Sequence, residues 1–355
     1  MQNILIVTDA WLPLTNGVVT TLRQTVECLR RFGFDVRVIH PGQFRTVPCP
    51  SYPEIAIAVF PARRLARQIE AYRPHAIHIA TEGPLGWAAR HYCLARGLRF
   101  TSSYHTQFPQ YLRSRLPIPL ALSFQVIRSF HAAAQHCMVS TESLQRELTE
   151  RGFTNLVRWS RGVNTQLFRP RPKEFLSLPR PIAAYVGRLA IEKNIEAFLA
   201  MPWRGTKIVI GDGPERERLE KRHPGAYFAG YRFGEDLAAH LAAADVLVFP
   251  SRTDTFGLVN LEAMACGVPV AAYPVTGPID VVTEGVTGAL DVDLGRAAQR
   301  ALRIDPRACR EHALSCGWER CARQFESHLV ECSPAHATAP VRPPALLSRS
   351  ERALS

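Results

Sequence analysis

Two carboxylates with seven residues between them, Asp254 and Glu262, bracket a stretch suited to a phosphate. Val246 to Phe249 is a short apolar run of β-forming residues and Pro250 to Gly257 is a polar turn. Leu258 to Ala265 then has helix-forming composition until Cys266-Gly267-Val268-Pro269 stops it. A helix that begins just after Gly257 turns its first backbone N–H groups, and the positive end of its dipole, toward whatever occupies the loop mouth. That favours an anion. Acids beside such a site cannot be attracting the phosphate; their chemistry is to accept hydrogen bonds from hydroxyl groups on either side of it. A diphosphate flanked by two polyols is a nucleotide sugar. The competing reading is an ordinary strand, turn and helix in which Glu262 only complements the dipole, for roughly 0.3 kcal/mol.

A basic pair lies upstream. Ala183 to Val186 reads as a strand, Gly187 as a tight turn, and Arg188 to Asn194 leads into a helix. Arg188 and Lys193, five positions apart across that turn, can reach one anion from neighbouring backbone positions, with solvated surface as the alternative.

These residues need a scaffold, and the first third of the chain announces its type. Asn3 to Thr8 is a strand of the buried kind, Asp9 to Gly17 a loop, Val18 to Phe32 an amphipathic helix ended by Gly33, and Asp35 to His40 the next strand. One βαβ unit implies a parallel sheet with right-handed crossovers. Asn16-Gly17-Val18 puts a glycine where backbone comes close to a ligand at a helix start, though the chain has no GxGxxG pattern. Ala76 to Ala80, Phe100 to Tyr104 and Cys137 to Ser140 continue the sheet. His105 directly follows the second of these, at a carboxyl end, where open α/β sheets keep their ligands. That sets it apart from most of the twelve histidines.

Four prolines between Pro170 and Pro181 mark a boundary, and a second α/β unit begins at Ile182. Ile208 to Ile210 is a strand before the turn Gly211 to Pro214, a helix runs from Glu215 to Lys221, and Phe228 to Tyr231 is another short strand. Thr276-Gly277-Pro278 and Gly285 to Leu290 read as the last sheet elements, and Trp318 to about Val330 as a terminal helix.

The run from Phe249 to Tyr273, including Glu262-Ala263-Met264-Ala265 and the glycine and proline after it, resembles the signature of retaining glycosyltransferases of family four, which have the GT-B fold. It departs at Asp254, where the family has glutamate. Gly187 to Asn194 resembles the family's basic pair, and the resemblance spans nearly all of residues 1 to 330. It implies an α/β protein of two Rossmann-like domains facing across a cleft. Residues 1–170 would bind the acceptor and 171–315 the nucleotide sugar, with 316–332 packing back on the first domain and 333–355 a disordered tail.

Site roles come with the resemblance. Arg188 and Lys193 would grip the donor diphosphate and meet the leaving group's charge, assisted by the helix start at Phe256, Gly257 and Leu258. Glu262 would hold the ribose, Asp254 the transferred sugar, Gly17 would lie against the diphosphate, and His105 near the reacting sugar carbon. Retention by same-face attack names no protein nucleophile, and no cofactor or metal is expected. Asp291-Val292-Asp293 matches the metal motif of another glycosyltransferase fold and is read here as a surface turn. The first strand and loop, through Asn16 to Val19, together with the segment Thr253 to Gly257, most resemble bacterial GDP-mannose-dependent α-mannosyltransferases and diacylglycerol glycosyltransferases. The expectation is a hexose, mannose first, moved to a lipid or glycolipid acceptor. UDP-glucose, UDP-glucuronate or a UDP-sulfoquinovose donor is the alternative, and an inactive regulatory GT-B protein the non-enzymatic one.

Composition agrees with this frame. A chain of 355 residues, 46% hydrophobic, fits two domains, and no apolar run reaches membrane-span length. The opening residues read as a strand rather than a signal peptide. Nine cysteines without a CxxC pair suggest core thiols of a reducing cytoplasm. The net charge of +12 comes without a nucleic-acid-binding signature, which leaves anionic nucleotides or an anionic membrane as partners. Arg63, Arg64 and Arg67, and Arg113, Arg115 and Arg128, are either solvated or a basic surface touching lipid at the inner face of the plasma membrane.

Overall fold

Alternating β-rich runs and amphipathic helices build two separate parallel sheets in the computed structural model, which describes residues 2–49, 52–107 and 119–333. The first half runs β1 (Asn3–Val7), α1 (Gly17–Arg31), β2 (Asp35–Ile39), an antiparallel hairpin of β3 (Thr46–Cys49) and β4 (Tyr52–Ala58), α2 (Ala62–Tyr72), β5 (Ala76–Ile79), α3 (Pro84–Ala95), β6 (Thr101–Tyr104), α4 (Leu120–His131), β7 (His136–Val139), α5 (Glu142–Glu150) and β8 (Leu156–Arg158). Its sheet has the order β2-β1-β5-β6-β7-β8. Ile4 sits between Val36 and Ala76 in register, so β1 is central. Ile4 to Val7 are at most 1% exposed, as expected of a parallel strand covered on both faces.

A polar residue in such a strand must be fully bonded. His78 of β5 is: its Nδ1 lies 2.9 Å from the Thr101 hydroxyl and its Nε2 3.1 Å from the Ser103 hydroxyl. Asn16 starts α1, its Oδ1 accepting the Val19 N–H at 3.0 Å, and Thr141 caps α5 in the same way.

The second half runs β9 (Ile182–Val186), α6 (Ile195–Ala200), β10 (Thr206–Ile210), α7 (Arg216–Arg222), β11 (Tyr227–Gly230), α8 (Gly234–Ala243), β12 (Val246–Phe249), α9 (Leu258–Ala265), β13 (Val270–Ala272), α10 (Pro278–Val281), β14 (Gly288–Leu290), α11 (Leu294–Ala301), α12 (Pro306–Leu314) and α13 (Trp318–His328). Its sheet has the order β11-β10-β9-β12-β13-β14. The α13 helix leaves this half: Trp318, Cys321, Ala322 and Phe325 bury against Ile4, Leu22 and Trp159 of the first. The Trp159 indole N–H donates to the Cys321 carbonyl at 3.1 Å.

Two expectations need correction. Thr276 to Pro278 is no sheet element: Pro278 opens α10, and Gly277 before it has φ +94°, which ends any strand. Of Gly285 to Leu290, only Gly288 to Leu290 pair with β13. The β3–β4 hairpin and β8 were not anticipated. All nine cysteines are free thiols. The tail from residue 334, and Arg113 and Arg115, lie outside the described residues.

Candidate active site

Open parallel sheets leave a crevice beyond the carboxyl ends of the strands wherever the chain switches direction across the sheet. In the second sheet that point falls between β9 and β12. The loops leaving these strands are the ones carrying Arg188 with Lys193 and Asp254 with Gly257. They are tied together: the Asn194 amide donates to the Pro250 carbonyl at 3.1 Å, and the Lys193 ammonium to Asp254 Oδ1 at 2.6 Å. Lys193 stands in a 3-10 turn, Ile191–Lys193, and Asn194 takes a left-handed conformation before α6 begins. The Tyr185 hydroxyl donates to the Arg188 carbonyl at 2.8 Å and braces the turn from below.

Gly257 begins α9 with φ +80° and no side-chain cap. A Cβ there would fall 2.7 Å from Asn260 Nδ2 and 2.8 Å from Phe249 Cζ, so the backbone is glycine's by conformation and by space. The residues on either side point apart. Phe256 packs on the core of the second sheet, whereas Leu258 packs on that of the first. Leu258 Cδ1 lies 3.6 Å from where a Cβ on Gly17 would stand, so the N-termini of α1 and α9 approach each other from opposite halves. Two converging helix starts concentrate unpaired N–H groups and positive potential in one place. One turn into α9, half-buried Glu262 has no hydrogen-bond donor among the described residues, and burial pushes its pKa up to about 7.

The first sheet reverses between β1 and β5, and its crevice lies opposite. Asp9, after β1, accepts hydrogen bonds from the Thr81 hydroxyl at 2.9 Å and from the N–H groups of Leu85 at 2.9 Å and Gly86 at 3.3 Å, which caps α3 and locks the two loops together. Burial raises its pKa against these bonds. Glu82 in the β5 loop meets the fully buried His131 ring, with Oε1 2.9 Å from Nε2. The other ring nitrogen lies 2.8 Å from the Ser102 hydroxyl. Burial works against charge on His131, yet Cys137 and Glu82 outweigh it and hold the pKa above the ordinary histidine value.

His105, after β6, is 9% exposed. Its carbonyl accepts the Thr255 hydroxyl at 2.7 Å, and the Thr255 carbonyl accepts the Ser140 hydroxyl at 2.8 Å, so the loop carrying Asp254 is fastened to the ends of β6 and β7. Arg161 donates toward His105 Nδ1 at 3.3 Å. Burial first, then the positive charge of Arg161, push the His105 pKa well below the usual value.

Thus Gly17, Leu258, Gly257 and Phe256 form one contiguous mouth, Lys193 and Asp254 touch beside it, and His105 reaches it through Thr255. Arg188 shares the Lys193 loop. Asp291 and Asp293 serve other ends. Asp293 caps α11 through the N–H groups of Gly295 and Arg296, and Asp291 binds the Arg296 guanidinium at 2.6 Å. Sequence reasoning missed Thr255, Arg161 and the Glu82–His131 pair. The signal was weak but present, since Glu82 and His105 both follow strands at carboxyl ends and Thr255 sits inside the signature itself.

Comparison with known proteins gives a consistent picture. Residues 15–167 match the family described as Glycosyltransferase Family 4, and residues 180–304 match glycosyl transferases group 1. A GDP-mannose-dependent alpha-mannosyltransferase of Mycobacterium tuberculosis is 30% identical over 311 residues, covering 80% of this chain and 82% of that protein. The sulfoquinovosyl transferase SQD2 of Arabidopsis thaliana is 30% identical over 308 residues, 78% of this chain and 60% of that protein. Among solved structures, HepE of Anabaena in complex with UDP and glucose superposes with a TM-score of 0.70 at 17% identity, covering 92% of this chain and 99% of that one. Sucrose-phosphate synthase from Thermosynechococcus elongatus superposes at 0.71 with 22% identity, covering 92% and 98%.

Proposed function

The chain belongs to family four of the glycosyltransferases, with the GT-B fold, and from that premise we propose that it moves mannose from GDP-mannose to a lipid or glycolipid acceptor with retention of configuration. The observation that carries the reading is the meeting of Gly17 and Leu258: two helix starts from opposite halves facing one another beside a basic loop suit a diphosphate held between two domains. Residues 1–170 hold the acceptor, 171–315 the nucleotide sugar, and 316–332 clasp the first domain.

Breaking the bond from sugar to diphosphate builds negative charge on phosphate and positive character on the ring. Arg188, Lys193 and the α9 start at Phe256 to Leu258 meet the negative charge with groups already in place, which is where electrostatic catalysis gains most. Such fixed cations do the work of a divalent ion, so transfer is metal-independent. Glu262 accepts the ribose hydroxyls, Asp254 a hydroxyl of the transferred sugar, and His105 lies against the reacting centre. The acceptor oxygen attacks from the face the phosphate leaves, with the departing phosphate oxygen taking its proton.

Exposed Arg63, Arg64 and Arg67 on α2, beside the 94% exposed Phe60, suit a peripheral contact with anionic lipid at the inner face of the plasma membrane. No helix among the described residues is long and apolar enough to cross a membrane.

A UDP-sugar donor is the second reading, favoured by the 30% identity to SQD2. Thermal shift with a panel of nucleotide sugars separates the two, because a ligand stabilises in proportion to the logarithm of its excess over Kd. GDP-mannose is expected to raise the Tm above every UDP-sugar; a larger rise with a UDP-sugar overturns the donor assignment.

A further inference from the structure

Arg161 is a cation in an unusual place. It follows β8 and is 5% exposed, and among the described residues no carboxylate pairs with it. Its guanidinium lies 4.4 Å from the Trp159 ring centroid and donates to the Trp159 carbonyl at 2.5 Å and the Ser160 carbonyl at 3.1 Å. Trp159 is itself held by the Cys321 carbonyl and packs edge-on against the His105 ring, centroids 5.5 Å apart. The remaining Arg161 bond goes to His105 Nδ1.

A guanidinium has five donors and no acceptor. His105 Nδ1 must therefore present its lone pair, and the single proton of a neutral ring then sits on Nε2. That nitrogen is buried and has no partner among the described residues. We propose that Arg161 is a positioning residue: it locks His105 as the neutral Nε2–H tautomer, so that this N–H is a ready donor for an oxygen of the bound nucleotide sugar. The inference rests on the reading of His105 as a sugar-site residue.

The surroundings keep the ring from serving as an acid. Among the described residues, the groups acting on it are Arg161 after β8, His78 on β5 and His131 at the end of α4, with the Thr255 hydroxyl bonded to its carbonyl. None of these favours a second ring proton. His105 thus gives a hydrogen bond and keeps its proton throughout the reaction. A buried guanidinium is suited to this because a lysine could reach Nδ1 but would lack the planar face that stacks on Trp159.

The test is nitrogen-15 NMR of the histidine side chains in the full-length protein, with the His105 signals assigned by their loss in His105→Gln, read beside steady-state transfer kinetics. Wild type is expected to show the Nε2–H tautomer from pH 6 to 9. Arg161→Met is expected to lose that preference and to lower kcat on the order of tenfold while the donor KM changes little, and Arg161→Lys to recover part of both. An Nδ1–H tautomer in wild type overturns the proposal whether or not any variant folds, as does an Arg161→Met protein with unchanged tautomer and kcat. If the tautomer is as stated but His105→Gln transfers normally, the sugar-site reading of His105 fails while the tautomer lock stands.

Discussion

The Lys193 ammonium rests 2.6 Å from the Asp254 carboxylate, their side chains 24% and 16% exposed, joining the two loops that flank the switch point of the second sheet. On the proposed reading, an arriving diphosphate shares the ammonium while the carboxylate keeps it aimed.

Lys193→Ala is accordingly expected to lower kcat by about 10²–10³, the cost of losing one preorganised donor at a leaving group. Arg188→Ala should do the same, with circular dichroism and acceptor binding nearly unchanged. Lys193 and Asp254 pair directly, so the donor affinity lost in the double variant Lys193→Ala/Asp254→Ala should differ from the sum of the two separate losses. Titration calorimetry reads that coupling; normal turnover by either single variant would refute the assignment.

Two glycines at the mouth should respond in opposite ways. Gly257→Ala must place a Cβ at φ +80° against Phe249, costing about 1–2 kcal/mol and lowering the Tm by a few degrees. Gly17→Ala meets only Leu258 at 3.6 Å and gains helix propensity in α1, so its Tm should hold or rise by about 1–3 °C while donor KM increases. Equal donor affinity in Gly17→Ala and wild type would remove Gly17 from the site.

Asp291 and Asp293 bear on the metal question. With Asp293 spent on the α11 cap and the Arg296 guanidinium holding Asp291 down to about 2, neither is arranged as a cation ligand. Transfer is expected to persist in excess EDTA, and Asp293→Ala to lower the Tm rather than kcat. Activity lost in chelator and restored by Mg²⁺ would reverse this.

How far the chain could be read depended on sequence separation. Val246 to Phe249 and Leu258 to Ala265 appear as β12 and α9 with the boundaries read from composition, because strand, turn and helix signals there are contiguous. The β3–β4 hairpin escaped because Pro48 and Pro53 suppress a strand signal that an exposed edge tolerates. Thr276 to Pro278 looked extended only until Gly277 took a positive φ. Contacts such as Thr255 to His105, 150 residues apart, depend on the order of strands and on how the two halves meet, and no local pattern encodes either.

That contact makes its own prediction. Thr255→Val removes the donor to the His105 carbonyl and strands a part-buried acceptor, worth about 1–2 kcal/mol, so kcat/KM should fall roughly tenfold. Asp280, which accepts the Ser143 N–H at 3.0 Å on the exposed rim, should matter less: Asp280→Asn is expected to change kcat/KM by under about threefold. The reverse ranking would show that the rim, not the Thr255 loop, holds the halves together.

Glu262 gives the protein a pH dependence whose sign can be worked out. In the empty site burial raises its pKa to about 7, so near neutrality much of it is protonated. With Glu262 in its proposed role, ribose hydroxyls would donate to the ionised carboxylate and lower its pKa on binding, so binding would release a proton and affinity should rise with pH. Below pH 7 the gain should approach roughly tenfold per pH unit until the bound-state pKa is reached, and above pH 7 it should level off. GDP-mannose is the proper probe, because its diphosphate is esterified at both ends and does not titrate in this range. Glu262→Gln should flatten the profile and, lacking the charged acceptor, bind more weakly at pH 8 than wild type. The same carboxylate opposes folding when ionised: its folded pKa lies above the unfolded one, so the wild-type Tm should fall between about pH 5 and 7 relative to Glu262→Gln. Calorimetric titration at pH 6, 7 and 8 in buffers of different ionisation enthalpy counts the proton directly. Affinity independent of pH, with no proton released, would mean that Glu262 does not touch the nucleotide.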